Sequence, residues 1–407
     1  MRAADPDLVA DLVLHHFSTL PPKRKPQVRD NGLHEWVPLS GIVAEQDGVL
    51  ACLSLATGMK CLPASKLPFA KGNALHDWHA EVLAIRAFNR HLLNECRAVL
   101  TGTSSSSLIR RRTSSELSPG SSQPFAVRDG VTLHMYCSEA PCGDASMELT
   151  MAAQDDASPW EVPQTQSPKF EMSSTAESLP GRAYFSQLGV VRRKPARGDA
   201  PPTMSKSCSD KIALKQCTSL LSSITALLVH PGNVYLSTLI LPESQYSVSG
   251  CARSFSEKGR MKTLAGRNWT GGYRFSPFEV LTTDREFEFS KRIVREKAVK
   301  IAASNLAVAW TADGVEEASV GGVLQGRKAF DVKGASATCR RKMWEVAKEV
   351  AEGLDDKALR TALSASTYTE VKDAHLLASR REVKREARSE ALAGWAVNSG
   401  DEAFNVT

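Results

Sequence analysis

An α/β domain enlarged by C-terminal helices is the fold the sequence predicts, and three observations predict it. Apolar runs at residues 40–45 and 49–55 flank Gln46-Asp47-Gly48, the pattern of a β-hairpin. Twice a strand-like run leads into a helix, and each time a residue able to bind a metal stands at the helix start: His79 and Cys142. The last third carries amphipathic helical patterns around residues 344–351 and 368–393.

Composition narrows the class. The chain has 407 residues, 42% hydrophobic and 24% charged, as expected of a soluble globular protein with ample core. No run of about 18 apolar residues marks a membrane span, and the N-terminus lacks an apolar signal core. A net charge of +6 is compatible with a nucleic-acid partner. Nine irregularly spaced cysteines fit a reduced intracellular protein, nuclear or cytoplasmic, better than a disulfide framework.

Taken in order, Asp5-Pro6 opens a helix whose apolar face is Leu8, Val9, Leu12, Val13 and Phe17. It ends before Pro21-Pro22, and Lys23, Arg24 and Lys25 follow as a solvated loop. After the hairpin, residues 56–61 make a tight loop. Val82, Leu83, Ile85, Phe88 and Leu92 then continue a helix begun at His79. Residues 101–123, rich in Ser around Arg110-Arg111-Arg112, read as a flexible surface insertion. Residues 131–137 are a strand, Pro141-Cys142-Gly143 a turn, and residues 145–152 a helix. A second polar insertion runs from about 153 to 184. A helical stretch with Ile212, Leu220 and Leu221 precedes a strand at residues 234–241. Arg253, Lys258, Arg260, Lys262 and Arg267 form a basic stretch that is either a solvated loop or a contact for RNA phosphates. The expected division is an N-terminal helix and loop, 1–39, then one catalytic domain, 40–407, with insertions at about 101–126 and 153–184.

The chemistry concentrates in His79-Ala80-Glu81 and Pro141-Cys142. A His-x-Glu followed by a Pro-Cys is the skeleton of the zinc-dependent nucleobase deaminases. Imidazole and thiolate both suit Zn²⁺, and the Glu stays off the metal to move protons. The usual Pro-Cys-x-x-Cys is broken, because position 145 is Ala. Spacing alone leaves Cys137, Cys208, Cys217 and Cys251 open as the third ligand.

These motifs, with Ser207-Cys208-Ser209-Asp210-Lys211, resemble the adenosine deaminases acting on RNA and their tRNA-specific relatives. Residues 57–61, 194–199 and 368–404 agree. The resemblance implies a three-layer α/β/α cytidine-deaminase-like fold with a mixed sheet. It implies zinc on His79, Cys142 and Cys208, with Glu81 as the catalytic acid–base. It implies inositol hexakisphosphate buried against Arg86, Lys211, Arg340, Tyr368, Lys372, Lys384 and Trp395, with a relay from Lys211 through Asp77 to Lys194. Position 215 is Lys where the family carries Trp, a departure. About forty residues precede the catalytic part, too few for a double-stranded-RNA-binding domain. The tRNA-specific branch, which converts adenosine 37 of alanine tRNA to inosine, is therefore the expectation, with tRNA as partner and no obligate protein partner. Lys60 and Asp199 are the expected substrate contacts; Asp199 stands where the editing enzymes carry Glu. The rivals are a cytosine deaminase on the same fold and an inactive RNA-binding subunit. The broken Pro-Cys-x-x-Cys argues against the first and the retained Glu81 against the second.

Overall fold

The computed structural model describes residues 5–103, 106, 108–154, 179–180, 185–194 and 200–406. Among them an eight-stranded mixed sheet forms the centre. Its strands in chain order are β1 (Leu39–Gln46), β2 (Val49–Thr57), β3 (Thr132–Cys137), β4 (Leu236–Pro242), β5 (Glu279–Thr283), β6 (Ala307–Thr311), β7 (Glu316–Val320) and β8 (Val323–Leu324). In space they run β5-β4-β3-β1-β2-β6-β7-β8. β3, β4 and β5 are parallel, and the other neighbours are antiparallel. The β1–β2 hairpin turns at Asp47 and Gly48, whose φ values of 52° and 77° are both positive. Two positive φ angles are what a tight hairpin of this twist requires, and Asp and Gly tolerate them.

Alternation along the strands sends side chains to two cores. Val43, Tyr136 and Ile240 join one; Ile42, Met135, Leu239 and Leu241 join the other. Helix α1 (Pro6–Thr19), capped by Asp5, covers the first face with Val9, Val13 and Phe17. It is thus one layer of the α/β/α stack, although the motif resemblance begins only near Ser40. The long helix α2 (Ala80–Thr101) covers the second face with Leu83, Ala87 and Phe88. Behind it lie α3 (Met147–Ala152), α4 (Cys208–Thr218) and α5 (Val248–Phe255). The C-terminal part adds α6 (Arg340–Glu352), which packs on α2, and α7 (Lys357–Leu363). Next come α8 (Tyr368–Asp373) and α9 (Ala378–Glu390), which packs on α4.

Two expectations are corrected here. The stretch 101–123 is not all loop: Ile109–Arg111 pairs with Phe125–Val127, which pairs in turn with Val229–His230. Ile109 is buried, Arg110 is paired with Glu116, and Arg112 donates to the carbonyls of Ser121 and Gln123. A three-residue strand inside a Ser-rich run is too short to show a period. Nor do residues 368–393 form one helix. The chain is extended at Ala374, and Arg381 reaches back to the carbonyls of Lys372 and Ala374 at 2.9 and 2.7 Å. No Pro or Gly announces that break, so Lys372 and Lys384 stand on different helices.

Candidate active site

α2 begins where β2 ends. Gly58, just past β2, accepts from Ala80 N–H through its carbonyl at 2.9 Å, and His79 caps the helix in extended conformation. Glu81 lies in the first turn and is buried, where the positive end of the helix dipole favours a carboxylate. Asp77 orients His79: its Oδ1 accepts from His79 N–H at 3.0 Å and lies 2.9 Å from Nδ1. That leaves Nε2 for a metal.

The thiols arrive from two other elements. Cys142 sits in the turn beyond β3, and Ser209 Oγ holds that turn through the carbonyls of Pro141 and Cys142, at 2.9 and 3.0 Å. Gly143, at φ 109°, abuts Ser207 so closely that a Cβ would collide with it. Cys208 opens α4, and its N–H points at Cys142 Sγ at 3.4 Å. Ser207 caps α4 and donates to Asp210 at 2.6 Å. Cys142 Sγ thus accepts from Cys208, and its pKa is held well below the ordinary thiol value by Cys208 first, with Lys194 and His79 contributing. So His79, Cys142 and Cys208 meet, with Glu81 close enough for the Cys142 charge to act on it. Cys137 is a fully buried strand thiol whose pKa burial pushes up strongly. Burial raises the Cys208 thiol as well, so position and not acidity separates the two: Cys208 N–H meets Cys142, whereas Cys137 is paired across the sheet with Ser40.

Burial first, then the Cys142 charge, raises Glu81, against the pull of His79 and Lys194. Burial would also raise Asp77, but Lys194, Lys211 and His79 outweigh it and hold the carboxyl well below its usual value. Lys194 Nζ lies 2.9 Å from Asp77 Oδ2 and 3.1 Å from Cys208 Sγ. Lys211 reaches the same Asp77 oxygen and donates to Ser205 Oγ at 2.7 Å. Ser205 donates to Asp77 at 2.7 Å, a participant no motif announced. Cys61, Asp77 and His79 also bring ligand atoms within 4.8 Å of one another. That grouping meets at Nδ1, however, and its carboxylate is already engaged by two lysines. It backs His79 from behind. His76 binds Asp401 at 2.6 Å and takes no part in the grouping.

The other expected residues fall in three groups. Lys60 is exposed beside the site and meets Asn305 Oδ1. Asp199 lies outside the described residues. Arg86, Arg340, Lys372 and Lys384 converge behind α2 and α4 and join a wider set of cations. Lys384 lies near Arg380, Arg388, Lys215 and Lys372; Arg86 lies near Arg340 and Tyr368. Burial, then these neighbours, lowers the pKa of Lys384 and Lys215 well below the ordinary lysine value. Both residues nevertheless keep some accessible surface. Most of their acceptors are weak: Ser223 Oγ for Lys384, the Thr338 carbonyl for Arg86, the Tyr368 ring under Lys372 and the Trp395 ring under Arg388; Arg340 meets the Tyr368 ring and also the Asp401 carboxylate, at 3.5 Å. Arg380 Nε and Arg388 Nε are buried without a hydrogen-bond partner among the described residues. At an effective dielectric near 20, like charges about 4–5 Å apart repel by about 3–4 kcal/mol.

The basic stretch after Gly250 divides: Lys258 and Lys262 are exposed, but its arginines are engaged. Arg253 pairs with Asp144 and Glu148, Arg260 with Asp210, and Arg267 with Glu386 and Glu390. Arg192 is buried. These arginines brace the catalytic turns and α9. The carboxylates that Arg253, Arg260 and Arg267 meet are all at least 50 residues away in sequence, so no local pattern could have shown it.

Comparison with known proteins now has a geometry to meet. Residues 54–399 match the adenosine-deaminase (editase) domain. The chain belongs to that family. It is 34% identical over 403 residues to tRNA-specific adenosine deaminase 1 of Schizosaccharomyces pombe, covering 97% of this chain and 96% of that protein. It is 33% identical over 238 residues to the Saccharomyces cerevisiae protein of the same name, 58% of each chain. It is 24% identical over 200 residues to the double-stranded RNA-specific editase Adar of Drosophila melanogaster, covering 48% of this chain and 28% of that protein. No helix among the described residues is long and apolar enough to cross a membrane.

Proposed function

We propose that the chain hydrolytically deaminates adenosine to inosine in tRNA inside the cell, in nucleus or cytoplasm, and that its target is adenosine 37 of alanine tRNA. The observation that carries the reading is the meeting of His79 and Glu81, at the start of α2, with the Cys142–Cys208 thiol pair in a member of this family. The names of the closely similar yeast proteins support the tRNA substrate.

The donor set fits zinc: an imidazole whose Nδ1 is already engaged and two cysteines held together, Cys208 N–H against Cys142 Sγ. His79, Cys142 and Cys208 would hold it and leave a fourth position for water. Zinc there supplies Lewis acidity toward water near neutral pH. Glu81 takes one proton of the attacking water and passes it to the ring nitrogen, where the product keeps it, then takes the second from the new hydroxyl and passes it to the departing amine. A C6–O bond forms, the C6–N bond breaks, and ammonia leaves. Its raised pKa lets Glu81 hold the proton between transfers. Asp77 keeps His79 in one tautomer, and Lys194 and Lys211 keep Asp77 ionised.

The cation set behind α2 fits a buried polyanion, inositol hexakisphosphate, on Arg86, Lys211, Arg340, Tyr368, Lys372, Lys384 and Trp395. Buried like charges with orphaned donors require a counter-charge, and six phosphates supply one. It would act as part of the fold.

Lys60 and Asp199 remain the proposed contacts near the target base. RNA phosphates would meet Arg295, Lys297 and Lys300, which are exposed and make no ion pair among the described residues. Two contacts tie this surface to the mouth of the site: Lys291 N–H donates to Glu139 at 3.2 Å, and Asn305 meets Lys60. Inosine mapping on total tRNA from cells with and without the protein tests the reading. Loss of inosine at position 37 of alanine tRNA is expected. Unchanged inosine, or activity of the pure protein on cytidine substrates alone, would overturn it.

A further inference from the structure

Lys215 lies on α4 one turn after Lys211 and was assigned no role by any motif. Its Nζ donates to the carbonyls of Leu220 and Leu221 at 3.0 and 2.7 Å. Arg380, from α9, donates to that same Leu221 carbonyl and to the Thr218 carbonyl at 2.6 Å. Two cations from different helices thus share one neutral oxygen, and no carboxylate stands with them among the described residues. Arg86 and Arg380 both bear on Lys215, and Lys215 in turn bears on Lys384. Lys215 therefore closes the gap between the α2 cation and the α9 cations. An ammonium carries three donors, and two are used. Stapling two carbonyls needs a donor but not a charge, so the charge calls for another explanation.

We propose that Lys215, with Arg380 beside it, is an inner cation subsite of the polyanion pocket and binds a phosphate group of the ligand. The inference rests on the polyanion reading above and extends it to a position where this chain departs from its family. The departure then has a physical sense: the family's Trp offers a face and one donor there, whereas Lys adds a charge for the same anion.

The test compares Lys215→Gln, which keeps a donor, with Lys215→Met, which keeps only the length. Each purified protein is melted, then denatured and its extract analysed for inositol phosphates by mass spectrometry. Both variants should melt several degrees below wild type, because a charge facing the anion is lost in each. If the role is only to staple carbonyls, Lys215→Gln melts like wild type and the proposal fails. If both melt higher, relief of cation crowding dominates and no anion sits at Lys215. Should both be insoluble, Lys215→Arg decides: soluble protein with full ligand supports the charge, and insoluble protein overturns it in favour of packing. A wild-type extract free of inositol phosphate would sink the polyanion reading itself. A loaded wild type with an unaffected Lys215→Gln sinks only this assignment.

Discussion

Asp77, at the start of α2, lies between two ammonium groups, whereas Lys384, on α9, lies among four further cations. Both are deep in the protein, yet they are treated in opposite ways. The catalytic end neutralises itself: Lys194 and Lys211 face Asp77, Arg260 faces Asp210, and Lys194 faces the Cys208 thiol. The α9 end gathers Arg86, Lys215, Lys372, Arg380 and Lys384 around carbonyls, a hydroxyl and ring faces. Burying unpaired charge is among the most destabilising things a fold can do. The contrast is what the proposed polyanion would explain: the first region pairs its cations within the chain, and the second leaves them to an imported charge. Lys211, one of the proposed polyanion ligands, bonds Asp77, which bonds His79. The two regions therefore share a short chain of contacts.

The sharpest way to break the catalytic half is to remove a thiol. Cys208→Ala should lose bound zinc and all deamination together, since three protein ligands are the least such a site uses. Cys137→Ala should keep the metal, because that thiol lies within β3, paired across the sheet with Ser40, while Cys208 N–H meets Cys142. Metal analysis of both purified variants separates the assignments, and the opposite outcome would show that Cys137 is the ligand. Glu81→Ala comes next. It should keep zinc and fold while losing at least about 10²–10⁴ in rate, the range for one general acid–base group. Near-normal inosine formation by this variant would remove Glu81 from the chemistry.

How much of this was legible differs between the two halves for a physical reason. Metal and proton chemistry demand particular side chains at helix starts, so His79, Glu81, Cys142 and Cys208 stand out in three ordered motifs. The polyanion side chains were named only through resemblance, since scattered lysines and arginines usually mark a wet face. Arg380 and Ser205 escaped even that, because each is defined by a partner distant in sequence, Thr218 and Asp77, and Lys215 showed only as a departure without a role. Periodicity told that α1 has a buried face but not that the central sheet is what buries it. It also ran straight through Ala374, where Arg381 and not a breaker residue ends the helix. The arginines after Gly250 show the converse. A run of positive charge looks like an RNA surface until its carboxylates are found.

Reversing a charge in the second region sharpens the comparison, because the sign of the effect depends on what fills the pocket. In an empty pocket, Lys384→Glu would place an anion among four cations and stabilise the protein. In a loaded pocket it sets a carboxylate against phosphate. We expect the second: a loss of about 3–5 kcal/mol, as for removing one partner of a buried ionic contact. Denaturant unfolding measures it, and insoluble protein would agree in direction. Higher stability of Lys384→Glu would mean that the pocket is empty.

The smallest expected effect is a pH signature at the rim of the pocket. Lys206 is buried and its pKa is lowered to about 7, by burial first and then by Lys211, Arg388 and Arg193. Without an anion, the unfolded chain would hold a proton here that the folded chain lacks between pH of about 7 and the ordinary lysine range. Stability from this group would then rise with pH across that window and be lowest at its acid end. A polyanion beside Lys206 reverses the cause: negative charge restores the lysine's affinity for its proton, folded and unfolded forms titrate alike, and the slope vanishes. Melting wild type and Lys206→Met side by side from pH 7 to 9.5 isolates the group, since all other titrations cancel in the difference. We expect a constant gap between the two curves. A gap that moves in favour of wild type as pH rises would mean that Lys206 titrates in the folded protein with no anion near it, and the imported charge would have to be placed deeper, against Lys215 and Lys384 alone.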